Sequence, residues 1–258
     1  MIVTAAICWY NESPEDLRRC VRACTVIADR VVALDGAYAR WPGGKAKSPP
    51  EQAQAIRDAA AEVGLEVIVK TPTRLWVGQV EKRSALIALA AKDSDWIQVV
   101  DTDHVLEGAR ETVRDTLEHR CTADVYDLPF FTPDNPEVEA QHEWHAGAAG
   151  HTIPVPLLYR VMPGMRYERF HWWLSGLKNG RRVWLMGIAP EGEHLPVVPF
   201  PDPTYRVVHM ALYRDEAHRL ADRAFCNDRE MVVRLTGQED DRPELPRPVW
   251  DYERMARG

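Results

Sequence analysis

The chain contains no apolar stretch approaching the ~20 residues that a membrane-spanning helix needs, which excludes a helical span. Its opening Met1-Ile-Val-Thr-Ala-Ala-Ile7 has no basic segment ahead of the apolar residues, so it reads as a first strand instead of a signal peptide, and a cytoplasmic location is expected. Cysteine is scarce and unpatterned. The five (Cys8, Cys20, Cys24, Cys121, Cys226) are odd in number and lack zinc-like spacing, so buried free thiols are expected. Basic charge is in deficit, 32 Lys and Arg against 39 Asp and Glu, and a net charge of -7 argues against broad binding along a phosphate backbone. No internal repeat is present. No Gly-rich basic loop follows the first strand, as a sugar-phosphate nucleotidyltransferase would show. His142-Glu-Trp-His145 also misses the H-E-x-x-H spacing of a zinc protease.

What remains is an ordinary globular composition, 45% hydrophobic and 28% charged over 258 residues, enough for one large α/β domain. Ile2–Ile7 is an apolar strand. Ser13-Pro14-Glu15-Asp16 then supplies an N-cap, a first-turn proline and first-turn acids for a helix over 14–28. Val31–Leu34 is a second strand ending at Asp35-Gly36, and 37–50 reads as loop. A helix over 51–63, a strand at 66–69 and a helix over 79–92 carrying Lys82-Arg83 lead into the run Asp95-Trp-Ile-Gln-Val-Val-Asp-Thr-Asp103. Strands alternating with helices predict a mainly parallel sheet, which binds ligands at the carboxyl ends of its strands. Asn11, Glu12, Asp35, Asp101 and Asp103 all fall there. Beyond a helix over 108–120 and a strand at 125–131, residues 132–156 read as a long loop. Short strands are expected at 157–161, 165–173, 182–186 and 205–210, followed by a helix over 214–235.

Asp101-Thr102-Asp103 is the motif that carries chemistry. Side chains alternate along a strand, so the two carboxylates are expected on one face, with His104 opening the next loop toward the same cleft. Hard oxygen ligands at such an edge suit Mg²⁺ or Mn²⁺ holding a diphosphate. A polar turn after a strand is the plainer alternative.

The succession Trp9-Tyr-Asn-Glu12, Val31-Val-Ala-Leu-Asp35-Gly36, helical Lys82-Arg83 and Asp95 to Asp103 resembles the family 2 glycosyltransferases of the GT-A fold over roughly the first half of the chain. Arg160-Val-Met-Pro-Gly-Met-Arg-Tyr-Glu-Arg-Phe-His171 and Val207-Val-His209 are similar to later elements of that family. The resemblance implies a GT-A, nucleotide-diphospho-sugar transferase fold: a Rossmann-like, mainly parallel central sheet flanked by helices. It implies a single domain over 1–258, divided into a nucleotide-sugar-binding half (1–107), an acceptor-binding half (108–235) and a C-terminal tail (236–258). The implied activity is metal-dependent transfer of a sugar from a UDP- or GDP-sugar to a hydroxyl of a glycan, lipid, protein or small molecule.

Roles follow by position. Trp9, Asn11, Glu12 and Asp35 would face the nucleoside; Asn11 and Glu12 otherwise simply cap the first helix. Lys82 and Arg83 would offset diphosphate charge, or else sit at the surface. Asp103 and Asp101 would hold Mn²⁺ or Mg²⁺, with His209 as a third ligand or, alternatively, a structural histidine. An inverting transfer needs a base, for which Glu168, Glu143 and His171 are the candidates; His171 is followed by Trp172-Trp173 where the family usually has an acid. A nucleotidyltransferase and a nucleotide-sugar-binding protein without catalysis are the competing readings.

Overall fold

A computed structural model of the protein describes residues 1–39, 41, 43–133, 152–168, 173–186 and 192–214. β1 (Val3–Cys8) is followed by α1 (Pro14–Ala23), β2 (Arg30–Leu34), α2 (Pro50–Glu62), β3 (Glu66–Lys70), α3 (Gln79–Ala90) and β4 (Trp96–Asp101). The local reasons are those legible in the chain. Ser13 accepts from the Asp16 amide as N-cap, Pro14 takes the first turn, and β2 is a wholly buried Arg-Val-Val-Ala-Leu run. The second half contributes β5 (His104–Glu107), α4 (Arg110–His119), β6 (Val125–Phe131), β7 (Thr152–Arg160), β8 (Arg166–Tyr167), β9 (Leu174–Lys178), β10 (Arg181–Trp184), β11 (Glu193–His194), β12 (Val197–Pro199) and β13 (Arg206–His209).

The main sheet runs β3-β2-β1-β4-β7-β6-β13-β5, with β12 beside β6. β3, β2, β1 and β4 are all parallel, β7 enters antiparallel between β4 and β6, and β13 pairs parallel with β6 and antiparallel with β5. A smaller sheet, β11-β10-β9-β8, lies apart from this path. The expected α/β class with a mainly parallel central sheet flanked by helices is therefore the observed one. No helix among the described residues is long and apolar enough to cross a membrane.

Three expectations are corrected. His104 opens a strand and not a loop, because alternating His104-Val-Leu-Glu107 pairs with β13. The loop expected over 132–156 gives way to β7 from Thr152, which pairs along β6; residues 134–151 lie outside the described set. Of the strand expected over 165–173, the described residues show Arg166–Tyr167, with a separate strand from Leu174; residues 169–172 and, apart from Arg214, the expected helix over 214–235 lie outside the described residues.

Candidate active site

Strand order turns back between β1 and β4, and a crevice opens at the carboxyl ends of two strands whose crossovers part in this way. The register pairs Cys8 with Asp101, so Glu12 and Asp103, just beyond these ends, reach the same place. The chain reverses at Thr102-Asp103 into β5, and the antiparallel pairing sets His209 of β13 opposite His104. Asp103 and His209, far apart in sequence, thereby meet: His209 Nε2 lies 3.2 Å from Asp103 Oδ2. The Met210 amide donates to the Asp103 carbonyl at 2.7 Å and holds the junction.

Because the strand ends at Asp101, the alternation that predicted a shared face stops there, and the two carboxylates engage different partners. Asp101 is bound by Arg83 from α3 at 2.9 Å. Asp103 is buried among His209, His104 and Arg214. Burial alone would raise its pKa, but Arg214 and His209 hold it well below the usual carboxylate value. Its Oδ1 is buried without a hydrogen-bond partner, a costly state for an ionised oxygen that a bound cation would relieve.

Asp103, His104 and His209 place one ligand atom each within 4.8 Å of one another. The hydrogen bonds separate the two imidazoles. The Asp101 amide donates to His104 Nδ1 at 3.1 Å, so the ring's proton sits on Nε2, the nitrogen 3.8 Å from Asp103 Oδ1. Burial keeps this ring neutral, with a pKa lowered to about 4. A protonated Nε2 has no lone pair for a metal, so His104 in this tautomer is a neighbour of Asp103 and not a ligand, at a distance too long for a hydrogen bond. His209 places Nε2 3.2 Å from Asp103 Oδ2 and Nδ1 3.2 Å from the Thr132 hydroxyl; with its proton on Nδ1, given to that hydroxyl, the ring would offer the Nε2 lone pair to a metal. Buried carboxylate, imidazole and orphaned oxygen together fit a divalent ion such as Mn²⁺.

The other candidates are disposed as follows. Glu12 is buried, accepts from Thr102 Oγ1 at 2.7 Å and pairs with Arg214 at 2.7 Å; burial pushes its carboxyl up to about 7 against the pull of that arginine. Asn11 adopts a left-handed φ of 53° and its amide donates to Ser48 Oγ. Asp35 faces inward, accepting from Ser48 N and Oγ and from Gly36 N. Trp9 packs in the core with its indole nitrogen unpartnered. Lys82 is buried under the ring of Tyr38 and donates to the carbonyls of Trp9 and Gly36. Glu168 stands between β8 and β9, bound by Arg166 and Ser175. Glu143 and His171 lie outside the described residues. Sequence reasoning missed Thr102, Ser48 and Arg214. Only Arg214 carried a signal, a basic residue a short way past the candidate ligand His209.

No protein-family model and no curated protein matches the chain. Among solved structures, TarS from S. aureus, a glycosyltransferase of GT-A type, is similar in its 1-349 form at 14% identity and a TM-score of 0.46, over 92% of this chain and 76% of that one. The 1-349 form solved with UDP-GlcNAc is similar at 18% identity and a TM-score of 0.38, over 55% of this chain and 37% of that one. A further TarS structure is similar at 15% identity and a TM-score of 0.38; the chain spans 23% of its length.

Proposed function

We propose that the chain is a glycosyltransferase that takes a nucleoside-diphosphate-sugar, UDP- or GDP-linked, as donor and a hydroxyl compound as acceptor, with the help of Mn²⁺ or Mg²⁺. The observation that carries this reading is the meeting of Asp103 and His209 at the turn-back point of a parallel sheet, with one carboxylate oxygen buried and unpartnered. Asp103 and His209 would hold the ion, with Asp101 adjoining. When bound, the ion supplies Lewis-acid stabilisation of the departing nucleoside diphosphate.

The chain's own groups have separable tasks. Arg83 fixes Asp101, and His209 faces the carboxylate of Asp103. Lys82 ties the ends of β1 and β2 together, which sets the floor against which a donor would lie. Glu168 is a candidate base. Partial burial would raise its pKa, but the bonds from Arg166 and Ser175 bring it below the ordinary value, so at neutral pH it is the carboxylate that deprotonating an acceptor requires. His171 and Glu143 remain alternative bases to be tested beside it.

The test is thermal unfolding with UDP or GDP, with and without Mn²⁺, on the wild type and Asp103→Asn. A ligand at a hundred times its Kd adds about 2.7 kcal/mol of stability. One nucleotide is expected to raise the Tm only with the metal, and only in the wild type. The matching sugar nucleotide should then be hydrolysed slowly without acceptor. Indifference to both nucleotides, with Mn²⁺ or with Mg²⁺ in its place, would refute the proposal.

A further inference from the structure

The site already contains a cation. Arg214 follows the short 3-10 turn Ala211–Tyr213 that leaves β13, and its guanidinium reaches Glu12 and Asp103. Nη2 is 2.7 Å from Glu12 Oε1 and donates to Thr102 Oγ1 at 2.6 Å, while Nε is 3.6 Å from Asp103 Oδ2. Oδ2 is the same oxygen that faces His209 Nε2 at 3.2 Å. The guanidinium and the ligand nitrogen thus converge on one carboxylate oxygen, in a place where both carboxylates are buried.

Charge decides what can share that space. Among the described residues, with Asp101 paired to Arg83, Glu12 and Asp103 bring at most two negative charges, whereas a divalent ion and a guanidinium together bring three positive ones in a place shielded from water, where like charges repel strongly. Arg214 also does not complete the site it occupies, since Asp103 Oδ1 stays buried and unpartnered beside it. An arrangement with a spare buried oxygen is one that a better-matched cation can displace.

We propose that Arg214 is an internal competitor for the divalent ion: metal and guanidinium exclude one another at Asp103, so metal binding expels the Arg214 side chain and Arg214 sets the metal affinity of the site. This rests on the metal reading of Asp103 and His209. The Met210 amide holds the Asp103 carbonyl by a backbone bond that the Arg214 side chain does not share, so the guanidinium can leave without breaking it.

The experiment follows free Mn²⁺ by electron paramagnetic resonance as it binds the full chain without nucleotide, in wild type, Arg214→Gln, Arg214→Lys and Asp103→Asn. Removing the competing charge in Arg214→Gln should tighten binding at least tenfold. Arg214→Lys, which keeps the charge and loses the fork, should fall between, and Asp103→Asn should abolish binding. Independently, phenylglyoxal labelling of wild-type Arg214, read by mass spectrometry, should accelerate severalfold when Mn²⁺ is added; this readout holds even if Arg214→Gln fails to fold. Equal or weaker binding in a folded Arg214→Gln, or labelling unchanged by Mn²⁺ that is bound, overturns the competition and leaves the metal site standing. No Asp103-dependent Mn²⁺ binding in any form overturns both.

Discussion

The Lys82 ammonium donates to the Trp9 carbonyl at 2.7 Å and the Gly36 carbonyl at 2.8 Å, and burial lowers its pKa. A lysine so engaged is a strut between strand ends. Lys82→Met, which keeps the stem and orphans two buried carbonyls, should cost roughly 2–4 kcal/mol in urea unfolding. If the ammonium instead served the diphosphate, nucleotide affinity would fall and stability would hold. Glu12 makes a second prediction. Its carboxyl binds a proton more tightly folded, at about 7, than at the ordinary 4.5, so the folded chain carries the extra proton between those values. Stability contributed by this group is full below pH 4.5 and is lost as pH rises through 7. By linkage the loss is roughly 3 kcal/mol, and it should disappear from the pH dependence of Glu12→Gln. At this scale, Asp103 and His209 could be singled out as candidates because a triplet at a strand end and a histidine after a valine pair are local patterns; that they lie 3.2 Å apart is what the structure adds. The identity of Lys82 was legible but its direction was not, since the side chain turns inward to two carbonyls supplied by β1 and the end of β2.

The turn after β2 illustrates how an element shapes the site. Gly36 has φ +106°, and a Cβ there would lie 2.5 Å from the Ala46 carbonyl oxygen and 2.5 Å from Pro72 Cγ. Both the backbone conformation and the space demand glycine. Gly36→Ala should therefore cost about 2 kcal/mol or more in urea unfolding. It should also loosen the segment whose Ser48 closes over Asp35, raising hydrogen exchange at the Ser48 amide. Elements with strong patterns were readable to within a few residues: β1, α2 and β6 fall close to where apolar runs, prolines and helical spacing put them. β8, β11 and β12, of two or three residues, are too short for periodicity to register, and their pairing alone makes them strands. His104 was misread for a similar reason: four residues after a turn declare a strand only once β13 is beside them.

Across the whole molecule, the parallel quartet β3-β2-β1-β4 was deducible from strands alternating with helices, whereas the insertion of β7 between β4 and β6 depends on partners distant in sequence. The two regions should also differ in firmness. β1, β2 and β4 are almost wholly buried, while both residues of β11 are exposed. Native-state hydrogen exchange should find the slowest amides in β1, β2 and β4 and fast exchange in β11; uniform protection would contradict this ranking. The pairing of β5 with β13 has one more consequence. A ribosome releases the chain from its N-terminus, so a nascent protein that has emerged through β4 and β5 already displays Glu12 and Asp103 but still lacks His209 and Arg214. On the reading proposed above, such an unfinished chain can neither gather its metal nor neutralise the waiting carboxylates, and the enzyme stays silent until synthesis has passed β13.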